Sequence, residues 1–230
     1  MKKKGIIFFI ASGLSFLLFA ALTLLVSLVD VKPIGPLGSS VGLASLNSFF
    51  AELFGVNMLW HDIAEILGYF ILLYVGFFAL LGLIQLIKRK KLFAIDRPIL
   101  LLGLFYVALV AVYAAFEFVV VNYRPILVEG ELEASYPSSH TLLAICVVCT
   151  AIVALHKIFG AKKWVICLDA VSAAVMAATV VFRSVSGVHW FTDIIAGILL
   201  SLALAFLYCG ALEAMLEKGK DEKIKISQSL

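Results

Sequence analysis

The chain has 230 residues, of which 63% are hydrophobic and 14% charged. A soluble domain is about 45–50% apolar and about 25% charged, so this balance excludes a disordered chain, a nucleic-acid binder and an ordinary cytosolic enzyme. It fits a protein that crosses a membrane several times. The net charge of +3 is small, and its placement along the chain is more informative than its size.

A helix needs about 20 apolar residues to cross the bilayer core. Six stretches meet that need: residues 6–29, 63–87, 99–121, 141–155, 164–182 and 191–216, the fourth being short and open to extension at either end. Their apolar runs are continuous rather than alternating, which argues against a β-barrel. The expected fold is therefore all-α, a polytopic membrane protein with six transmembrane helices in one bundle and a single membrane domain over residues 1–230. Met1-Lys2-Lys3-Lys4 opens the chain like the n-region of a signal peptide. The run behind it is longer than the usual h-region of about 7–15 residues, so an uncleaved first helix is expected. Residues 30–61 hold Pro33, Gly35, Pro36, Gly38 and Gly42 among Leu46, Phe49, Phe50, Leu53 and Phe54. That mixture predicts an extracytoplasmic interfacial or re-entrant helix. The polar tail, residues 218–230, is expected to be solvated in the cytoplasm.

With six spans, both termini lie on one side. All of the 18 basic residues except Lys32, Arg124 and Arg183 fall on that side. The positive-inside rule then predicts cytoplasmic termini and a multi-pass protein of the cell membrane. It also isolates two arginines at the other face. Arg124 lies in Asn122-Tyr123-Arg124-Pro125, after the third span. Tyr136-Pro137-Ser138-Ser139-His140 opens the fourth. Arg183 begins the segment that joins the fifth span to the sixth and carries His189 and Asp193.

Charged groups at membrane depth are costly and tend to mark function. Two guanidiniums make a forked anion site suited to phosphate. His189 and Asp193 are four residues apart at a helix start and share a face, so the carboxylate can orient the ring as in a base–orienter or nucleophile–orienter pair. Ser138, Ser139 and His140 lead into a helix whose first N–H groups can receive phosphate oxygens. A protonated His140 could supply a departing alkoxide with its proton. No dedicated metal cage is evident. The four cysteines, Cys146, Cys149, Cys167 and Cys209, sit in apolar runs and read as packing thiols.

These residues resemble the type 2 phosphatidic acid phosphatase superfamily, whose motifs are Lys-x6-Arg-Pro, Pro-Ser-x-His and Ser-Arg-x5-His-x3-Asp. Here they read Glu117-x6-Arg124-Pro125, Pro137-Ser138-Ser139-His140 and Phe182-Arg183-x5-His189-x3-Asp193. The resemblance covers about residues 60–215. It implies that His189 attacks phosphorus to form a phosphohistidine, Asp193 orients it and His140 protonates the leaving group. Arg124, Arg183, Ser138 and Ser139 would hold phosphate oxygens, with no metal and no cofactor. The implied partners are membrane lipids, and the implied reaction is hydrolysis of a lipid phosphate at the outer leaflet. Undecaprenyl diphosphate, phosphatidic acid and phosphatidylglycerol phosphate are the candidate substrates, and the site's placement suggests a bacterial lipid carrier. The same site would also serve a phosphotransferase, or, if degenerate, a non-catalytic lipid-phosphate binder or transporter.

Two positions depart from the motifs. Phe182 stands for serine and Glu117 for lysine. Glu117 can pair with Arg124 or Arg183, bind a cationic part of the substrate, or disable the site. Outside the motifs, His61-Asp62-x-x-Glu65 reads as a polar helix cap. Glu129, Glu131 and Glu133 read as a solvated loop with the option of a lid. Trp60, Trp164 and Trp190 read as interfacial anchors, with Trp190 near enough to His189 to line a pocket. Lys32 is the remaining outer cation.

Overall fold

The computed structural model describes residues 3–228. Among them are seven α-helices: α1 (Lys3–Leu28), α2 (Ala44–Phe54), α3 (Met58–Arg89), α4 (Arg97–Phe118), α5 (Ser139–Phe159), α6 (Lys163–Val185) and α7 (Phe191–Gln228). All but α2 are long and apolar enough to cross a membrane. The protein is an all-α, multi-pass membrane bundle of six such helices.

The boundaries differ from the apolar runs where polar residues complete a helix. The fourth span lengthens to Ser139–Phe159, taking in His140 at its start and His156 and Lys157 in its last turn, and Gly160 ends it at φ 74°. The third stops at Phe118, because Val119 leaves helical geometry. α7 runs past the end of its apolar run, at residue 216, to Gln228. The solvated tail expected at residues 218–230 has its side chains beyond Gly219 outside the described residues, as do Met1 and Lys2.

α5 forms the centre and packs against α3, α4, α6 and α7. It is buried on nearly every side, through Leu142, Ala144, Cys146, Val147, Val148, Ala151 and Leu155. Small residues let its neighbours close in, as is usual where lipid offers no hydrophobic drive between helices. A Cβ on Gly197 of α7 would meet Thr141 Cβ at 3.0 Å, and Ser201 of α7 donates to the Leu142 carbonyl at 3.3 Å. α1 lies along α7, where Ser12 donates to the Ala203 carbonyl at 2.8 Å. The outer faces carry exposed Leu14, Leu17, Leu73, Leu104 and Val107, as lipid-facing helices require.

The segment before α3 folds back on the bundle. Lys32 pairs with Val41 in an isolated antiparallel bridge. α2, at 11 residues, is too short to span. It exposes Leu46, Phe49 and Leu53 and buries Asn47, the two-faced form expected of a surface-lying helix. Asn47 donates to the Gly42 carbonyl at 2.9 Å and to Thr192 Oγ1 at 3.0 Å, and it accepts from the Thr192 N–H at 3.2 Å. Phe50 stacks on Phe191 with centroids 3.8 Å apart. The start of α7 is thereby clamped from above.

At the other end of the bundle, Lys157 meets Glu213 at 2.5 Å, His156 meets Asp169 at 2.6 Å and Arg89 meets Asp96 at 2.7 Å. These pairs tie helix ends together where most basic residues collect.

Candidate active site

The three motif segments come together at one end of the bundle, around a cavity of about 480 Å³ lined by Glu117, Arg124, Glu133, Ser139, His140 and His189. Each position follows from local structure. His189 lies in the short link between α6 and α7, buried to 6% exposure. Gly187 lets this link turn: its φ is +70°, and a Cβ there would lie 2.0 Å from the Gly55 carbonyl oxygen. Alanine at 187 would carry both a left-handed backbone and a backbone clash. Gly187→Ala is expected to cost about 3 kcal/mol of stability and to displace His189, read as a lower melting temperature in detergent together with lost activity.

Arg124 NH1 lies 3.4 Å from His189 Nε2. A guanidinium only donates, so Nε2 carries the lone pair and Nδ1 the proton. Nδ1 lies 3.8 Å from Asp193 Oδ2, on the shared face but beyond hydrogen-bond length, with the Ser135 carbonyl also beside the ring. Asp193 is fully buried. It accepts from the Trp190 N–H at 3.0 Å and from Asn122 Nδ2 at 3.3 Å. Its carboxylate thus anchors the first turn of α7 as well as facing His189. Burial, first, and then the charges of Arg124, Arg183 and His140 hold the His189 pKa well below the ordinary histidine value. The ring is neutral and its Nε2 is nucleophilic at neutral pH.

His140 stands across the cavity in the first turn of α5. Behind it lies Arg183, fully buried. Arg183 donates to His140 Nδ1 at 2.5 Å, to His61 Nδ1 at 2.6 Å and to Glu65 Oε1. Glu65 Oε1 also lies 3.1 Å from His140 Nε2. Ser139 lines the cavity, while Ser138 is buried and donates its N–H to the Asp193 carbonyl at 3.0 Å. The Ser138 hydroxyl and Arg183 Nε are buried without a hydrogen-bond partner. The first ladder bond of α5 runs from the Leu142 N–H to the Ser138 carbonyl, so the N–H groups of Ser139, His140 and Thr141 precede it, as donors of the kind that can receive an anion at a helix N-terminus.

Several expectations need correction. His61 and Glu65 are not a helix cap. Asn57 caps α3, its Oδ1 accepting from Leu59 and Trp60, which frees His61 and Glu65 to face Arg183 one turn further in. Glu117 lines the cavity and is exposed, but among the described residues the carboxylates that pair with the two arginines are others: Glu65 for Arg183 and Glu133 for Arg124, at 2.8 Å. Glu133 is therefore a wall of the site rather than a free loop residue. Lys32 pairs with Asp30 at 2.7 Å and takes no part; its hydrogen bond, with others from Ser45, holds the Asp30 carboxyl down to about 2. Phe182 points away and stacks on Trp60, centroids 5.0 Å apart, fixing α6 to the start of α3. Trp190 donates to the Tyr123 carbonyl at 2.7 Å and braces the arginine loop. Asn47 and Asn122 carry no readable signal of these roles, since their partners are far away in sequence.

An apolar groove of about 320 Å³ between α3, α4 and α5 joins this site. It shares Tyr113, Ser139, His140 and Leu142 with the polar cavity and continues along Leu72, Val75, Tyr106 and Val110.

The same stretch of chain matches a known family model. Residues 117–214 match the PAP2 superfamily. The chain is also similar over 93% of its length to a solved structure, the first transmembrane PAP2 type phosphatidylglycerolphosphate phosphatase from Bacillus subtilis. The TM-score is 0.60, the identity 21%, and 97% of that chain is covered. This is a likeness of fold. No curated protein sequence matches significantly. The PAP2 match begins at Glu117, so this glutamate falls inside the region of family likeness.

Proposed function

We propose that this protein is a membrane lipid phosphatase that hydrolyses a lipid phosphomonoester or diphosphate. The observation that carries the reading is the pair of imidazoles facing one cavity, with the Arg124 guanidinium 3.4 Å from the His189 Nε2 lone pair. The apolar groove that opens into the same cavity favours a substrate with a hydrocarbon chain.

In this reading His189 Nε2 attacks phosphorus and a P–N bond forms as the P–O bond to the lipid breaks. His140 gives its proton to the departing oxygen. Water then attacks the phosphohistidine, His140 takes back a proton, and phosphate leaves. Arg124, Arg183, the Ser138 hydroxyl and the α5 N-terminus stabilise the equatorial oxygens. Asp193 and Asn122 hold the nucleophile's helix turn. The excess of basic residues at the opposite end supports cytoplasmic termini and an outward-facing site in a bacterial cell membrane. Phosphatidylglycerol phosphate heads the candidates, since the structural neighbour is named for it; phosphatidic acid and undecaprenyl diphosphate follow. Phosphate release from these three lipids, by purified protein in detergent, tests the reading. Release from none, by folded protein that binds them, would overturn it in favour of a binder or transporter.

Glu117 tunes charge in this scheme. It faces the cavity beside Tyr113, with both arginines committed to other carboxylates. Its charge opposes anionic substrates, and a diphosphate more than a monophosphate. Glu117→Gln is expected to lower KM for a diphosphate lipid by about fivefold, with kcat nearly unchanged, as loss of a ground-state repulsion requires. Steady-state kinetics on paired mono- and diphosphate substrates checks it.

A further inference from the structure

We propose that Glu65 is a positioning residue for the acid of this reaction, forming with His140 a second carboxylate–imidazole pair opposite His189 and Asp193. The inference rests on the phosphatase reading and deepens it. None of the three PAP2 motifs contains Glu65; it lies on α3, outside the matched region.

The geometry assigns the protons. Arg183 can only donate, and it sits on His140 Nδ1 at 2.5 Å. Neutral His140 therefore carries its proton on Nε2, and Nε2 faces Glu65 Oε1 at 3.1 Å. Gly68, one turn on from Glu65, makes room for the ring: a Cβ there would stand 3.3 Å from His140 Cδ2 and 3.7 Å from Nε2. The Nε2 edge is thus turned toward α3 and held there, so chemistry falls to Nδ1, which is engaged by Arg183 until that hydrogen bond is given up. His61 is held to the same guanidinium through its own Nδ1 at 2.6 Å, and its Nε2 lies 3.9 Å from Glu65 Oε1.

The consequence is a division of roles. When phosphate arrives, Arg183 shifts an N–H from His140 Nδ1 to a phosphate oxygen. His140 Nδ1 then takes the P–OH proton of the bound phosphate monoanion, leaving the phosphate a dianion, and the ring becomes an imidazolium with Glu65 as counter-ion at Nε2. As the lipid oxygen departs, its bond to phosphorus breaks and the Nδ1 proton passes to it. Glu65 stays ionised throughout and keeps the Nε2 proton. Charge-assisted hydrogen bonds of this kind are about twice as strong as neutral ones, so the carboxylate both orients the ring and stabilises its charged form.

The test separates acid catalysis from mere structure by varying the leaving group. A lipid phosphate expels an alkoxide and needs a proton; p-nitrophenyl phosphate expels a phenolate that does not. Glu65→Gln is expected to lower kcat on phosphatidic acid by about 100-fold and on p-nitrophenyl phosphate by less than about 3-fold, with Glu65→Asp recovering about tenfold of the loss. Equal losses on both substrates, or no loss on either, would overturn the proposal. A second readout does not need turnover. In protein labelled with ¹⁵N-histidine, the proton on His140 Nε2 (assigned by its absence in His140→Gln) is expected far downfield and to move upfield in Glu65→Gln. An unchanged resonance would also overturn it. If wild-type protein releases no phosphate from either substrate, the phosphatase reading fails on its own, while the resonance still decides whether Glu65 holds the ring.

Discussion

His189→Ala is expected to abolish phosphate release, with a fall in kcat of about 10⁴-fold or more, the scale seen when a covalent nucleophile is removed. The fold should survive. The side-chain contacts of His189 are long, 3.4 Å to Arg124 and 3.8 Å to Asp193, whereas the α6–α7 link is held by Asp193, Asn47 and Gly187, which the substitution leaves in place. Phosphate binding should therefore persist, and it distinguishes a lost nucleophile from a lost site. The same variant has a stability signature. The folded state keeps His189 neutral, because burial, first, and then the nearby Arg124 and Arg183 charges lower its pKa well below the ordinary value. The unfolded chain takes up a proton near pH 6.5. As pH falls through 6.5 toward the folded-state pKa, the unfolded state binds the extra proton and the wild type loses stability. Alanine removes that contribution. Melting temperatures between pH 7.5 and 5 should fall less steeply for His189→Ala than for wild type, and parallel slopes would contradict a neutral, buried ring.

Arg183→Gln is expected to damage both fold and activity. The guanidinium is fully buried and bonds Glu65, His61 and His140 at once. Removing one partner of a buried charge pair leaves the other uncompensated and costs about 3–5 kcal/mol. Glu65 keeps some exposure, with 32% of its side chain accessible, so the lower end of that range is expected. On the proposed mechanism activity should fall at least about 10³-fold, since the donor assigned to phosphate and the seat of His140 would be lost together. Arg183→Lys should rescue little: an ammonium keeps the charge but cannot reach three acceptors in one plane. Thermal unfolding in detergent and phosphate release check both. A lysine variant with near-wild-type activity would show that charge alone matters here.

How much was legible beforehand differs between fold and site. The six spans follow from apolar runs, because in a bilayer each helix satisfies its own backbone and is selected by its own composition. The ends are less legible where they are polar: the fourth span, short as an apolar run, extends both ways to take in His140 and the turn after Leu155, and the third stops at Phe118, short of its apolar run. Arg124, His140, Arg183, His189 and Asp193 stood out because charge at membrane depth is rare, and because their spacing matches three motifs.

The partners of these residues did not stand out. Glu65 looked like a cap because it lies near a helix start, yet Asn57 does that work. Glu117 looked like the carboxylate for an arginine because seven residues separate it from Arg124, yet the pairing goes to Glu133, in a loop folded back by the Tyr123–Ala134 bridge. Asn122 and Asn47 read as ordinary loop and helix polars until the fold set them against Asp193 and Thr192. By itself, then, the sequence determined the helical membrane architecture and the chemical groups at one end of it, since both depend on local composition and short spacings. Only the tertiary structure decided which carboxylate serves which cation, because an ion pair depends on distance in space, and helices far apart in the chain meet here within 4 Å.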